Sequence, residues 1–254
     1  MPPPYQPVGR CIYCGATKYS IDRAKLSEEH IVPFCVDGAH ILPEASCKKC
    51  AGKTGGDEQK LFGKSGPFRP LRVEAGSRSR GKDGALTIPY YPNGPGRGRF
   101  DVPPEADLPY VNARLVFGAP TAPETGDPIG MARDLSLLLS GRYDNWHGPH
   151  VYSPVIEMAV LMRFLAKIGH GFAVAELGSG FAPLLADFIT KKDERVPWGL
   201  IGSIEQWGGA EPRYHLKHHA VSGRHGEVYA AVDIQLFSHM EFPGYRVLVG
   251  TMDG

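Results

Sequence analysis

The chain lacks the marks of several large protein classes. No apolar run approaches the length of a membrane span, and the proline-rich start, Met1 to Pro7, has no signal-peptide core. No membrane partner is therefore expected. There is no internal repeat, no phosphate-binding P-loop and no Ser-His-Asp pattern. Charge of one sign is missing as well: 28 Lys and Arg against 27 Asp and Glu leave a net +1, which by itself says nothing about a polyanionic partner. Cysteine is sparse, at five residues, an odd count in which four fall into paired spacing. That usage fits a reducing, cytoplasmic compartment. Cys35 is left over and reads as a small buried hydrophobe.

What is present suffices for a fold. The 254 residues, 42% of them hydrophobic, allow one large domain or two modest ones with a real core. Local charge says more than the total. Between Lys60 and Arg99 nine Lys and Arg residues face only Glu74 and Asp83, and Phe68, Tyr90, Tyr91 and Phe100 are interleaved with them. Such a stretch suits phosphate contacts and base stacking, or serves as a solvated loop. Its Gly, Pro, Ser and Arg content marks residues 65–110 as a long basic linker. It separates a cysteine module, residues 8–64, from a C-terminal region, residues 111–254.

The cysteine module is Cys11-x2-Cys14, 32 intervening residues, then Cys47-x2-Cys50. Four thiolates so spaced close a tetrahedral zinc site, the alternative being four reduced thiols that bind nothing. Metal binding would supply folding energy to a module this small. The enclosed segment carries Glu29-His30-Ile31-Val32-Pro33, and Ala45-Ser46 leads into Cys47-Lys48-Lys49-Cys50. Over residues 8 to 62 these elements together resemble the HNH, or ββα-metal, endonuclease family on a zinc-ribbon frame.

The resemblance implies a β-hairpin with a helix behind it, and metal-dependent hydrolysis of DNA phosphodiester bonds. It implies that Glu29 binds a divalent cation such as Mg2+ and that His30 takes a proton from the attacking water. Elementary chemistry agrees: cleavage needs a deprotonated water, neutralised phosphorane charge and help for the leaving oxygen. A histidine suits the first task and a hard cation the other two. His40 is the nearest candidate for the residue that orients the base, though it sits about two residues early relative to Cys47. The family's second metal ligand usually follows the last cysteine, where this chain has Ala51. A subset with Ala there carries Thr and Glu further on, and Thr54 and Glu58 stand in comparable places. They share one helical face, so Glu58 is the candidate second ligand. Gly52, Gly55 and Gly56 would weaken that helix.

An α+β fold is expected beyond the linker. Val111 to Phe117 reads as a strand. Ser153 to Glu176 reads as a long helix with Ser153 as N-cap, Pro154 at its first position and Glu157 as capping-box partner. Gly169 and Gly171 suggest close packing against a neighbour, and Gly178 a stop. A second helix is expected over Phe181 to Thr190, and strands over Glu227 to Phe237 and Tyr245 to Thr251. Ala175-Glu176-Leu177-Gly178-Ser179-Gly180 superficially matches a methyltransferase glycine motif, but no strand precedes it and a helix C-cap is the better reading. His215, His218, His219 and His225 read as an exposed turn before the strand pair. From about residue 150 the chain resembles the region that follows such modules in bacterial and phage HNH-like proteins. The expected function is thus an HNH endonuclease. The alternative is a non-catalytic, zinc-stabilised nucleic-acid-binding or assembly protein, which Ala51 and the glycine-rich helix favour.

Overall fold

The computed structural model describes residues 5–63, 66–74, 86–90, 98–102, 110–114, 120, 136–140, 156–204, 213–238 and 242–252. It is an α+β protein. Near the N-terminus β1 (Ser27–His30) pairs antiparallel with β2 (Ile41–Ser46), Glu29 opposite Leu42 and His30 opposite Ile41. The loop between them turns through Asp37, whose φ is 62°, into Gly38. A Cβ at Gly38 would fall 1.9 Å from the Val32 carbonyl oxygen, so only glycine closes this loop.

Directly after β2, Cys47 opens α1 (Lys48–Phe62) in extended backbone. Its three glycines do not break the helix. They face open space, while Cys50, Thr54, Asp57 and Leu61 at helical spacing are buried. Tertiary burial outweighs the weak propensity. Phe62 then stacks near Phe68, and the short α2 (Arg69–Glu74) follows with Arg69 and Arg72 buried. Two cations of the basic stretch therefore lie in the core rather than on a solvated face. Lys64, Arg78, Arg80, Lys82, Arg97 and Tyr91 lie outside the described residues.

The linker span contains one strand pair, β3 (Leu86–Tyr90) with β4 (Gly98–Val102), and a second, β5 (Tyr110–Arg114) with β6 (Ser136–Ser140), follows at the start of the C-terminal region. The strand expected over Val111 to Phe117 is thus described only as far as Arg114.

α3 (Met158–Leu177) is the spine of the molecule. It starts at Glu157 as N-cap, not at Ser153, and Glu157 makes no side-chain cap bond. Ser153 to Val155 lie outside the described residues. The helix is buried all round from Val160 to Ala173 and ends at Gly178, whose φ is +61°. The glycine motif here is therefore a helix end, as read from the sequence. Contrary to the expectation of no span-length apolar run, α3 has the length and mean hydropathy, 1.4, to cross a membrane. Of that apolar stretch, however, 78% is buried inside the protein.

The helix expected over Phe181 to Thr190 is mostly replaced. β7 (Ala182–Pro183) pairs with the last strand, and only α4 (Ala186–Ile189) is helical. β8 (Ile201–Ile204), β9 (Tyr214–Ser222), β10 (Val228–Leu236) and β11 (Gly244–Thr251) complete a five-stranded sheet. The order is β9-β10-β11, with β7 and β8 sharing the outer edge of β11, and all pairs are antiparallel. The expected strands at Glu227–Phe237 and Tyr245–Thr251 are β10 and β11. His215, His218 and His219 lie on β9, opposite Gln235, Val232 and Ala231, and not in a turn.

α3 lies against this sheet so closely that a Cβ on Gly169 would meet Val247 Cβ and Val249 Cγ1 at 3.1 Å. Its other side reaches the hairpin, where a Cβ on Gly171 would touch Ile31 Cγ1 at 3.4 Å. Buried apolar side chains from Cys11 to Val249 form one continuous core, so residues 8–64 and the C-terminal region share it.

Candidate functional site

The four cysteines meet. Cys11 and Cys14 sit on a tight turn closed by Gly15 N–H to the Cys11 carbonyl, 2.8 Å, while Cys47 and Cys50 begin α1 three residues apart on one face. Their four sulfurs lie within 4.8 Å of one another, and Cys14 Sγ is 3.7 Å from Cys47 Sγ. A zinc tetrahedron with bonds of ~2.3 Å has edges of about 3.8 Å, so the cluster fits a tetrahedral metal ion such as zinc. Contact with the Cys50 thiol and nearby backbone N–H groups lowers Cys11 to about 4, so a thiolate is ready at neutral pH. Among the described residues no other group of three or more His, Cys, Asp and Glu side chains has metal-binding geometry.

Glu29 and Glu58 converge on one point. Strand alternation turns Glu28 outward and Glu29 inward, leaving Glu29 only 5% exposed. Glu58 arrives from α1, one turn after Thr54. Thr54 itself turns its hydroxyl back to the Cys50 and Ala51 carbonyls, 3.3 Å each, and stays out of the cluster. The point of convergence is occupied by the Lys167 ammonium of α3, 3.1 Å from Glu29 Oε1 and 2.9 Å from Glu58 Oε1. Lys167 also donates to the carbonyls of His30 and Ile31, the latter at 3.2 Å, and is 2% exposed. Burial alone would push this lysine down, but the charges and hydrogen bonds of Glu58 and Glu29 hold it above its ordinary value. Tyr13 lies beside Glu29 with its buried hydroxyl unbonded; burial and that carboxylate raise it well above the usual tyrosine range.

Lys167 is one of three polar residues on a single face of α3, at positions i, i+4 and i+7. Arg163 is ion-paired to buried Asp57 of α1 at 2.7 Å, and Asp57 also holds Lys191 at 2.9 Å. His170, fully buried, donates from Nε2 to the Ile12 carbonyl between the first two cysteines, 2.8 Å, and burial lowers its pKa. This stripe fastens α1, β1 and the first cysteine turn to one helix. None of its members stood out in the sequence reading. The available sign was three polar groups in the otherwise apolar stretch from Val160 to Ala173, since buried charges need partners.

His30 ends β1 on the same side of the strand as Glu28, with a third of its side chain exposed, and reaches the Lys167 ammonium through its backbone carbonyl. Its ring neighbour is Glu28, whose Oε1 lies 3.3 Å from Nε2, while Nδ1 has no hydrogen-bond partner. Phe34, 47% exposed, presents its ring 6.4 Å from the His30 ring. His40 is not part of this constellation. Its Nδ1 meets the Tyr5 hydroxyl at 2.8 Å, Tyr5 donates to Glu176 at 3.0 Å, and Phe172 packs edge-on to the ring. The polar neighbour of His30 is therefore Glu28, not His40. The reason is register: Ile41 stands opposite His30, and His40 turns to the N-terminal segment.

Ala51, in the first turn of α1, brings no donor atom to the cluster. Cys35 is half-buried and burial pushes its thiol up to about 11, which fits an inert packing role. On β9, His219 faces Asp233 at 3.8 Å, a carboxylate already clamped by Arg246 at 2.6 Å.

Fold and site define an α+β protein with a four-cysteine cluster, within metal-binding distance, in its N-terminal region. Compared with protein-family models, curated proteins and solved structures, the chain matches none.

Proposed function

We propose that this protein is a metal-dependent, HNH-type endonuclease that hydrolyses DNA phosphodiester bonds, with a structural zinc on Cys11, Cys14, Cys47 and Cys50, in a reducing, cytoplasmic compartment. The carrying observation is that Glu29 and Glu58, from a hairpin and the helix behind it, meet at one cation position that the His30 backbone carbonyl also lines. Two carboxylates are the donor type a hard divalent ion such as Mg2+ prefers, although Lys167 fills the point between them. When bound there, such an ion would neutralise charge on the phosphorane and the leaving oxygen. In this reading His30 serves as the general base for the attacking water, with Glu28 Oε1 3.3 Å from its Nε2. Phe34 offers an apolar face against which a nucleobase can stack.

A second reading has its own observation. The Lys167 ammonium already neutralises the carboxylate pair, and Ala51 supplies no ligand. Both suit a zinc-stabilised protein that binds nucleic acid, or organises an assembly, without cutting. Supercoiled plasmid incubated with the zinc-loaded full chain in Mg2+, Mn2+ or Ni2+ separates the two. Nicking or cutting that needs the added ion and is lost in Glu29→Gln supports the nuclease. Salt-sensitive DNA binding with no cleavage in any of the three ions overturns it in favour of the second reading.

A further inference from the structure

The acceptors around the Lys167 ammonium number more than its donors. Three N–H groups serve four oxygens: Glu29 Oε1, Glu58 Oε1 and the carbonyls of His30 and Ile31. All four belong to the N-terminal module, while the cation is delivered by α3. The oxygens thus form a cage with the hard donors a divalent ion takes, and a positive charge is already seated in it. A divalent ion sits ~2.0–2.6 Å from its oxygens, inside the space Nζ fills, so the two cations exclude each other.

We propose that this four-oxygen cage is a divalent-cation site whose resident occupant is Lys167, displaced by rotation of that one side chain when metal enters. The proposal rests on reading the Glu29–Glu58 pair as the metal pole of a hydrolytic site, and it adds a built-in competitor. The backbone of α3 need not move. Arg163 on Asp57 and His170 on the Ile12 carbonyl pin the helix on either side of Lys167, and Gly169 and Gly171 seat it on Val247 and Ile31. Lysine has a flexible four-carbon stem, so its withdrawal is a change of rotamer whose cost is the loss of its buried contacts, which the entering divalent ion must outweigh. Tyr13, buried beside Glu29 with its hydroxyl unbonded, can donate to that carboxylate once the ammonium leaves. Metal affinity is then set by how seldom Lys167 vacates the cage.

Mn2+ binding to the zinc-loaded full chain tests this, followed by calorimetry or by the loss of the free-ion resonance signal. Lys167→Met removes the charge and keeps the length. The expected result is one Mn2+ per chain bound about tenfold or more tightly than in the unaltered protein, as removal of a dominant competing state requires. Lys167→Met with Glu29→Gln should lose that gain. A second measurement, on the unaltered protein, guards against misfolding of the variant. Lys167 should resist reductive methylation without Mn2+ and become modified with it, as read by peptide mass spectrometry. A folded Lys167→Met variant that binds Mn2+ no more tightly than the unaltered protein overturns the proposal. So does methylation of Lys167 that is indifferent to saturating Mn2+. Neither readout depends on cleavage. An exchange that works in a protein inert toward DNA would sink only the nuclease reading, and cleavage without exchange would sink only this one.

Discussion

Asp57, Glu29 and Glu58 carry negative charge where little water reaches, and each has a cation from α3 against it: Arg163 for Asp57, and Lys167 for the other two. Removing one partner of such a pair leaves the other buried and uncompensated, which costs far more than the pair itself contributes. Asp57→Ala should therefore lower stability by about 3–5 kcal/mol in urea denaturation. Lys192→Ala, whose Asp187 partner is exposed, should leave the denaturation midpoint nearly unchanged. Equal losses would contradict this account of the α1–α3 interface. At this scale the cysteine cluster was legible because paired CxxC spacing is local in the sequence. Lys167 was not. Its role is set by two carboxylates more than 100 positions away in the chain, and the sequence shows only that a lysine sits in an apolar helix. His40 failed as the orienting residue for a similar reason: nearness to Cys47 in sequence does not fix where its ring turns.

The elements differ in how much of each was decided locally. The end of α3 was readable because Gly178, at a positive φ that glycine takes readily, stops the helix. Its start was not, since Ser153 and Pro154 make a plausible cap while the helix begins at Met158. Strands β10 and β11 were readable from apolar alternation. β9 hid because its histidines, Lys217 and half-exposed positions at a sheet edge carry little apolar signal. The segment after Phe181 lost its expected helix to pairing with β11, a contact no local pattern reveals.

The glycines make these elements testable. Gly169→Ala drives a methyl group into Val247 and Val249 and should destabilise by about 1–3 kcal/mol. Gly55→Ala faces open space in α1 and should stabilise by roughly 0.5–1 kcal/mol. Thermal melts of the two variants should move in opposite directions, and a shift in the same direction would contradict the packing described for α3.

Over the whole molecule, the cysteine module and the C-terminal region share one core and one helix. The sequence suggested a module, a linker and a separate region because composition changes sharply between residues 65 and 110. Composition does not show that α3 returns across that span to seat Arg163, Lys167 and His170 on the module. Metal removal should thus be felt throughout. Chelation of the cysteine-bound ion should lower the melting temperature of the entire protein in one cooperative transition. Two resolved transitions, only one of them shifted, would contradict a shared core.

The central proposal is DNA hydrolysis with a divalent ion at Glu29 and Glu58 and with His30 as the base. The most direct measurement is cleavage of supercoiled plasmid by the unaltered protein and by His30→Ala under the same divalent ion, with zinc content determined on both. The account predicts that His30→Ala abolishes cleavage while zinc content is unchanged. Undiminished cleavage by a zinc-replete His30→Ala protein would contradict it.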